Sequence, residues 1–132
     1  MPSSRLFICL IASSFVAARA VFALGDPAYA PCILNSSGAS VTFVAKFADG
    51  SSSPGALPSS SAAWQHIKGR HLASLEVDRA GHKRAYASSM LDEIRLHHPV
   101  REELWMIGQS ELTLDDCRDI NTIRKRVART HQ

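Results

Sequence analysis

Cys32 and Cys117 stand 85 residues apart, near the two ends of everything that follows the N-terminal apolar run. A bond between them would close almost all of that chain into one loop. In the chain-entropy picture such a loop stabilises a fold by about 4 to 5 kcal/mol, comparable to the whole stability of a small domain. That bond requires an oxidising compartment, and the N-terminus supplies the route. Arg5 precedes an apolar run over residues 6–18 that stops at Arg19, too short to span a bilayer. Val21-Phe22-Ala23 satisfies the small-residue rule for signal cleavage, as does Ala18-Arg19-Ala20, and cleavage after Ala23 is the expectation. The alternative is a retained membrane anchor, which would bury Arg19 at a cost of about 3 kcal/mol. Cys9 leaves with the leader, and an even pair of cysteines remains in an exported chain, the usual signature of a disulfide.

Removing residues 1–23 from 132 leaves 109, enough for a single small domain and too few for a second core. The formal charge of +3 falls to +1 once Arg5 and Arg19 go, so overall charge identifies no partner. Its distribution is uneven. From Arg118 onward, Arg118, Arg124, Lys125, Arg126 and Arg129 face only Asp119, which makes the tail (117–132) the one basic region.

Residues 40–47 give the clearest period of two, with Val41, Phe43, Ala45 and Phe47 alternating against Ser40, Thr42, Val44 and Lys46. Asp49-Gly50 ends that strand with turn chemistry. Residues 51–61, rich in serine, proline and glycine, offer little apolar surface and are expected to form a mobile loop. Short strands follow over 64–67, over 72–78 with Ala73, Leu75 and Val77 inward, and over 83–87, the last two joined by a hairpin turn at residues 79–82. Ser89 and Asp92 have the spacing of a capping box, predicting a helix over 90–96 that buries Leu91 and Ile94 before Pro99. Residues 103–107 and 111–114 read as two more strands. Cys117, Ile120, Ile123 and Val127 then recur at helical spacing, predicting an amphipathic helix over 116–128. The expected fold is mainly β: a small antiparallel sandwich or open barrel of five or six short strands with one or two short helices, including the C-terminal one.

No catalytic constellation emerges. His66 and His71 are five apart, matching neither a helical pair nor a zinc spacing, and the neighbours His97 and His98 would point apart on a strand. His82 falls in a turn. No bound metal and no cofactor is expected. The paired carboxylates Asp92-Glu93, Glu102-Glu103 and Asp115-Asp116 are adjacent rather than facing across a cleft, and Asp92 and Asp116 suit helix starts. There is no Gly-x-Ser-x-Gly and no Gly-rich phosphate loop. Trp64, Tyr86 and Trp105 suit core anchors. Asn35-Ser36-Ser37 matches the N-glycosylation acceptor pattern, which bears only on a eukaryotic secretory route.

The expectation is therefore a secreted or periplasmic, non-enzymatic binding or interaction module, monomeric, with its function in surface loops and its ligand unspecified. Two rivals accompany it. One is a small secreted hydrolase using His66 or His71 with Asp78 or Asp49. The other is an envelope-surface attachment protein whose tail cations Arg124, Lys125, Arg126 and Arg129 touch an anionic membrane surface or cell-wall polymer. DNA is not an expected partner, because the tail lacks aromatic residues for stacking.

Overall fold

The structure, a computed structural model, describes residues 30–59 and 62–130; the leader and its cleavage site lie outside the described residues. The described residues form eight strands, in two four-stranded sheets, and two helices. Sheet one has the order β4 (Trp64–His66), β1 (Cys32–Asn35), β7 (Glu103–Ile107), β8 (Leu112–Asp116). Sheet two has the order β3 (Ser52–Leu57), β2 (Val41–Phe47), β5 (Leu72–Arg79), β6 (His82–Tyr86). Helix α1 (Ser88–His97) follows β6, and α2 (Ile120–Thr130) follows a single 3-10 turn, Cys117–Asp119. All neighbouring strands are antiparallel except β1 and β7, which run parallel.

Two cores hold this arrangement. Val41, Phe43, Ala45 and Phe47 of β2 are buried, as their alternation predicts, and meet Ile33, Trp105, Ile107, Leu112 and Leu114 across the space between the sheets. Leu91 and Ile94 of α1 join them. The other face of sheet one, carrying Cys32, Leu34 and Leu104, packs against Ile123 and Val127 of α2. The layers thus run sheet two, sheet one, α2. Cys32 on β1 and Cys117 before α2 are joined, their Cα atoms 6.2 Å apart, within that outer core.

Two of the eight strands lie outside the sequence expectation, and both for physical reasons. Residues 51–61 were expected to be a mobile loop, but residues 52–57 pair with β2 from Val41↔Leu57 to Lys46↔Ser52. Backbone bonds along the β2 edge replace the missing apolar side chains. Gly55 lets the Phe43 ring lie over the new strand, where a Cβ would run into it, and Pro54 is tolerated because β3 is an edge. The other strand, β1, is buried along its whole length and shows no alternation.

Smaller corrections have equally local causes. Lys46 pairs with Ser74 but Phe47 with Leu72, so Ala73 sits in a bulge; Leu72, Leu75 and Val77 are buried and Ala73 is half-exposed. The hairpin forms as expected around Ala80 and Gly81, whose φ values of 53° and 85° are those of a two-residue primed turn. The capping box does not form: Ala87 is the N-cap, with no side-chain cap bond, and Asp92 turns to Arg95 instead. Asp116 ends β8 and, as its place at a helix start predicts, caps the 3-10 turn that leads into α2, its carboxylate accepting from the Arg118 N–H.

Removing the covalent link should expose how much the outer core depends on it. Urea unfolding of a Cys32→Ala/Cys117→Ala variant should show about 3 to 5 kcal/mol less stability than the oxidised chain. A loss below about 1 kcal/mol would mean that α2 holds its place by packing alone.

Candidate functional site

The expected catalytic side chains do not meet. His66 lies on the outer face of sheet one, its Nδ1 3.3 Å from Cys32 Sγ and its ring edge-on to Trp64. Asp78 is on β5 of sheet two and accepts from the Gly81 N–H in the hairpin turn. Asp49 accepts from the N–H and hydroxyl of Ser51 at 2.9 and 2.6 Å, bonds that hold its carboxyl below the usual carboxylate range. His71 contributes its backbone carbonyl to Ala48 N–H. Among the described residues, no hydrogen bond or ion pair joins His66 or His71 to Asp78 or Asp49. No group of three His, Cys, Asp or Glu side chains among the described residues is placed to hold a metal ion.

Asn35 is buried at the end of β1, and its Nδ2 donates to the carbonyls of Ala39, Leu57 and Pro58 at 2.7, 3.4 and 3.0 Å. Its Oδ1 accepts from the backbone N–H and hydroxyl of Ser37. The amide that a glycan would occupy is thus an internal fastener in the folded protein. Trp105 is fully buried and Tyr86 buried, so both serve as core anchors, while Trp64 is half-buried beneath α2.

The tail cations are partly spent within the protein. Arg124 Nε donates to Ala62 O at 3.1 Å, and Arg126 pairs with Asp115 at 3.3 Å; Lys125 and Arg129 are exposed. Asp116, held by Arg118 through a 2.7 Å ion pair, has its carboxyl below the usual range; the Arg118 side-chain bonds are the main cause, and burial opposes them. A depressed carboxylate stabilises the fold above its unfolded pKa, and that contribution is lost as pH falls through the folded value. An Asp116→Asn variant should therefore lose no more than about 1 kcal/mol at neutral pH, since Arg118 is exposed. Urea titrations should show the gap closing below about pH 4. A gap undiminished in strong acid would contradict the assignment.

One ionic cluster was not anticipated. Arg95 of α1 grips Glu103 of β7 through two bonds, Nε to Oε2 at 2.6 Å and an Nη to Oε1 at 3.1 Å. It also reaches Asp92 at 2.9 Å and the Leu72 carbonyl at 2.6 Å, and its guanidinium lies 5.2 Å from the centre of the Trp105 ring. Trp105 Nε1 donates to the same Glu103 oxygen at 3.3 Å. The Arg95 and Glu103 side chains are only 13 % and 18 % exposed. Burial pushes the guanidinium pKa down, but the bonds and charges of Glu103 and Asp92 outweigh it and leave it raised.

That clamp fixes α1 as the wall of a groove of about 650 Å³. Met90, Glu93, Ile94 and His97 line it from α1. Met106, Thr113 and Asp115 line it from the outer face of sheet one, with Arg126 from α2 and the β8 edge as floor. Met90 is 46 % exposed, so its side chain is accessible from the groove. A second concavity of about 890 Å³ lies on the outer face of sheet two, over Val44, Pro54, Ala56 and Ala85 with Glu76, Asp78 and Lys83 at its sides. The groove is distinguished by walls on two sides and by adaptable methionines in a mixed apolar and polar lining, features that suit a binding site. Comparisons with protein-family models, curated proteins and solved structures give no match.

Glu103→Ala should cost about 3 kcal/mol or more in denaturant unfolding, because it strands a buried guanidinium. An Arg95→Leu/Glu103→Leu pair should cost less than Glu103→Ala alone; equal or additive losses would show that the cluster is not energetically coupled.

Proposed function

We propose that the chain is an exported, non-enzymatic binding module that receives its ligand in the groove between α1 and the β8–α2 side of sheet one. The observation that carries this reading is the groove itself, an open apolar channel through Met90, Ile94 and Met106 edged by Glu93, His97 and Arg126. Its small number of placed polar groups over an apolar floor suits recognition. His66 and His71 make no bond to Asp78 or Asp49, so the acid–base pairing considered from the sequence finds no support in the fold. The oxidised Cys32–Cys117 pair and the leader-like N-terminus both favour a location outside the reducing cytosol. Attachment through the tail has weaker support, since Arg124 and Arg126 already serve internal partners.

The reading is tested by pull-down from the protein's own extracellular or envelope milieu, comparing the natural chain with Met90→Glu. Met90 is exposed, so the variant should fold, show an unchanged circular dichroism melt, and bind a captured partner at least about tenfold more weakly. The intact mass of the exported product, alkylated without reductant, should begin at Leu24 and carry no alkyl group. Undiminished partner binding by Met90→Glu removes the groove from the function, and a product retaining residues 1–23 removes the exported module.

A further inference from the structure

The floor of the groove is an unpaired strand edge. Gly108 N–H donates to Glu111 O at 2.9 Å and Cys117 N–H to Glu102 O at 2.8 Å, and these two bonds bracket the β7–β8 ladder. Hydrogen-bonding direction alternates along an antiparallel strand, so Thr113 and Asp115 turn their backbone groups toward β7. Leu112 and Leu114 turn theirs outward, while their side chains point into the core. Asp116 N–H, also outward, is already taken by the Asp115 carboxylate at 2.8 Å. The edge thus presents two N–H and two C=O groups, one pair every second residue, or about 7 Å apart.

The other three edges each carry a feature that discourages a further strand. Edge strand β3 contains Pro54, β4 is three residues long, and β6 opens with exposed His82, Lys83 and Arg84. The sequence of β8, Leu-Thr-Leu-Asp-Asp, has no proline, lysine or arginine. Helix α1 touches β8 as well, and the groove opens along that contact. The charges in the groove are also unbalanced. Arg126 neutralises Asp115, whereas Glu93 makes no ion pair among the described residues. The groove therefore carries one uncompensated negative charge between methionine-bearing walls.

Building on the groove as the binding site, we propose that its ligand is an extended peptide segment, apolar at alternate positions and carrying a lysine or arginine, that adds to β8 as a fifth strand of sheet one. Backbone bonds to Leu112 and Leu114 supply affinity, as in other cases of strand addition. Alternate side chains of the segment fall toward Met90 and Ile94 on one side and Met106 on the other, and its cation meets Glu93. Charge complementarity selects this occupant over an acidic peptide.

The test pans a random short-peptide phage library on the intact oxidised chain and follows the enriched peptides by amide hydrogen exchange. Peptides with alternating apolar residues and a basic residue should be enriched. Their binding should slow exchange at Leu112 and Leu114 by at least about tenfold while leaving Thr113 and Asp115, already bonded to β7, little changed. N-methylation of the peptide residues whose N–H faces β8 should weaken binding by at least about tenfold, and Glu93→Lys should weaken it similarly without altering the fold. A library that enriches nothing, or peptides that bind without protecting Leu112 and Leu114, overturns strand addition. Small apolar fragments screened against the methionine methyl resonances separate the two readings. Fragments that shift Met90 and Met106 while no peptide protects the edge leave the groove standing as a site and sink the strand; no shift at either methionine and no edge protection sink both.

Discussion

Strand β1 is buried on both faces, and most of the architecture follows from that constraint. Ile33 points between the sheets while Cys32 and Leu34 point under α2, so three successive residues serve two cores at once. A strand covered on both sides can run parallel to its neighbour, and the β1–β7 pair does so inside an otherwise antiparallel fold. Helix α2 is eleven residues long and marginal by itself, with Ile123 and Val127 as its buried stripe. The disulfide fixes the start of that helix against β1, which turns a weak amphipathic segment into a permanent layer. At the other end of β1, the Asn35 amide ties together the loop before β2 and the end of β3. Both ends of one short strand are therefore fastened by polar or covalent bonds, and its middle by packing.

Elements whose stabilisation is local were legible in the sequence. The alternation of β2, the hairpin around Ala80-Gly81, the apolar run of β7, the helical spacing of Ile123 and Val127, and the pairing of the two cysteines all follow from neighbours or simple counting. Elements that exist because of a partner were not. Strand β3 is a strand through the β2 ladder and the Phe43 ring over Gly55, neither visible in a serine-rich stretch. The Ala73 bulge is a property of a ladder, not of a residue. Asp92 has the spacing of a cap but meets a stronger attraction in Arg95, and the tertiary partner prevails over the local one. The groove was hidden for the same reason: its walls come from residues 90–98, 106–115 and 126, and only the fold brings them together.

Helix α1 shows how placement can depend on charge where apolar area is scarce. Leu91 is its one buried residue and Ile94 its one half-buried apolar neighbour. Those two contacts fix which face turns inward but leave rotation and tilt weakly determined. Arg95 removes that freedom by contacting two strands at three points, with paired bonds to Glu103 on β7, one to the Leu72 carbonyl on β5, and its guanidinium over Trp105 of β7. Desolvating such a pair offsets much of its Coulombic gain, so its contribution to net stability is modest. Its geometric contribution is large, because a two-point guanidinium–carboxylate fork tolerates little displacement. The exposed Met90 therefore projects from a fixed wall, and a preorganised wall reduces the ordering cost of whatever binds there.

The same fixed walls account for a strand edge left without protection of its own. An open edge endangers a protein chiefly through other open edges, since sheet-to-sheet pairing leads to aggregation. Between α1 and α2, the edge of β8 is recessed: another folded sheet would have to bring its own flanking layers past both helices, whereas a lone extended segment brings only its backbone and side chains. Steric recess thus performs the task that proline, brevity and cationic residues perform on β3, β4 and β6. Under the proposed strand addition that recess would be selective, excluding sheets while leaving room for a single strand. An edge guarded by lysine would be closed to both, so under the proposed strand addition a five-residue edge free of lysine and proline, between rigid walls, would discriminate between partners by thickness as well as by sequence.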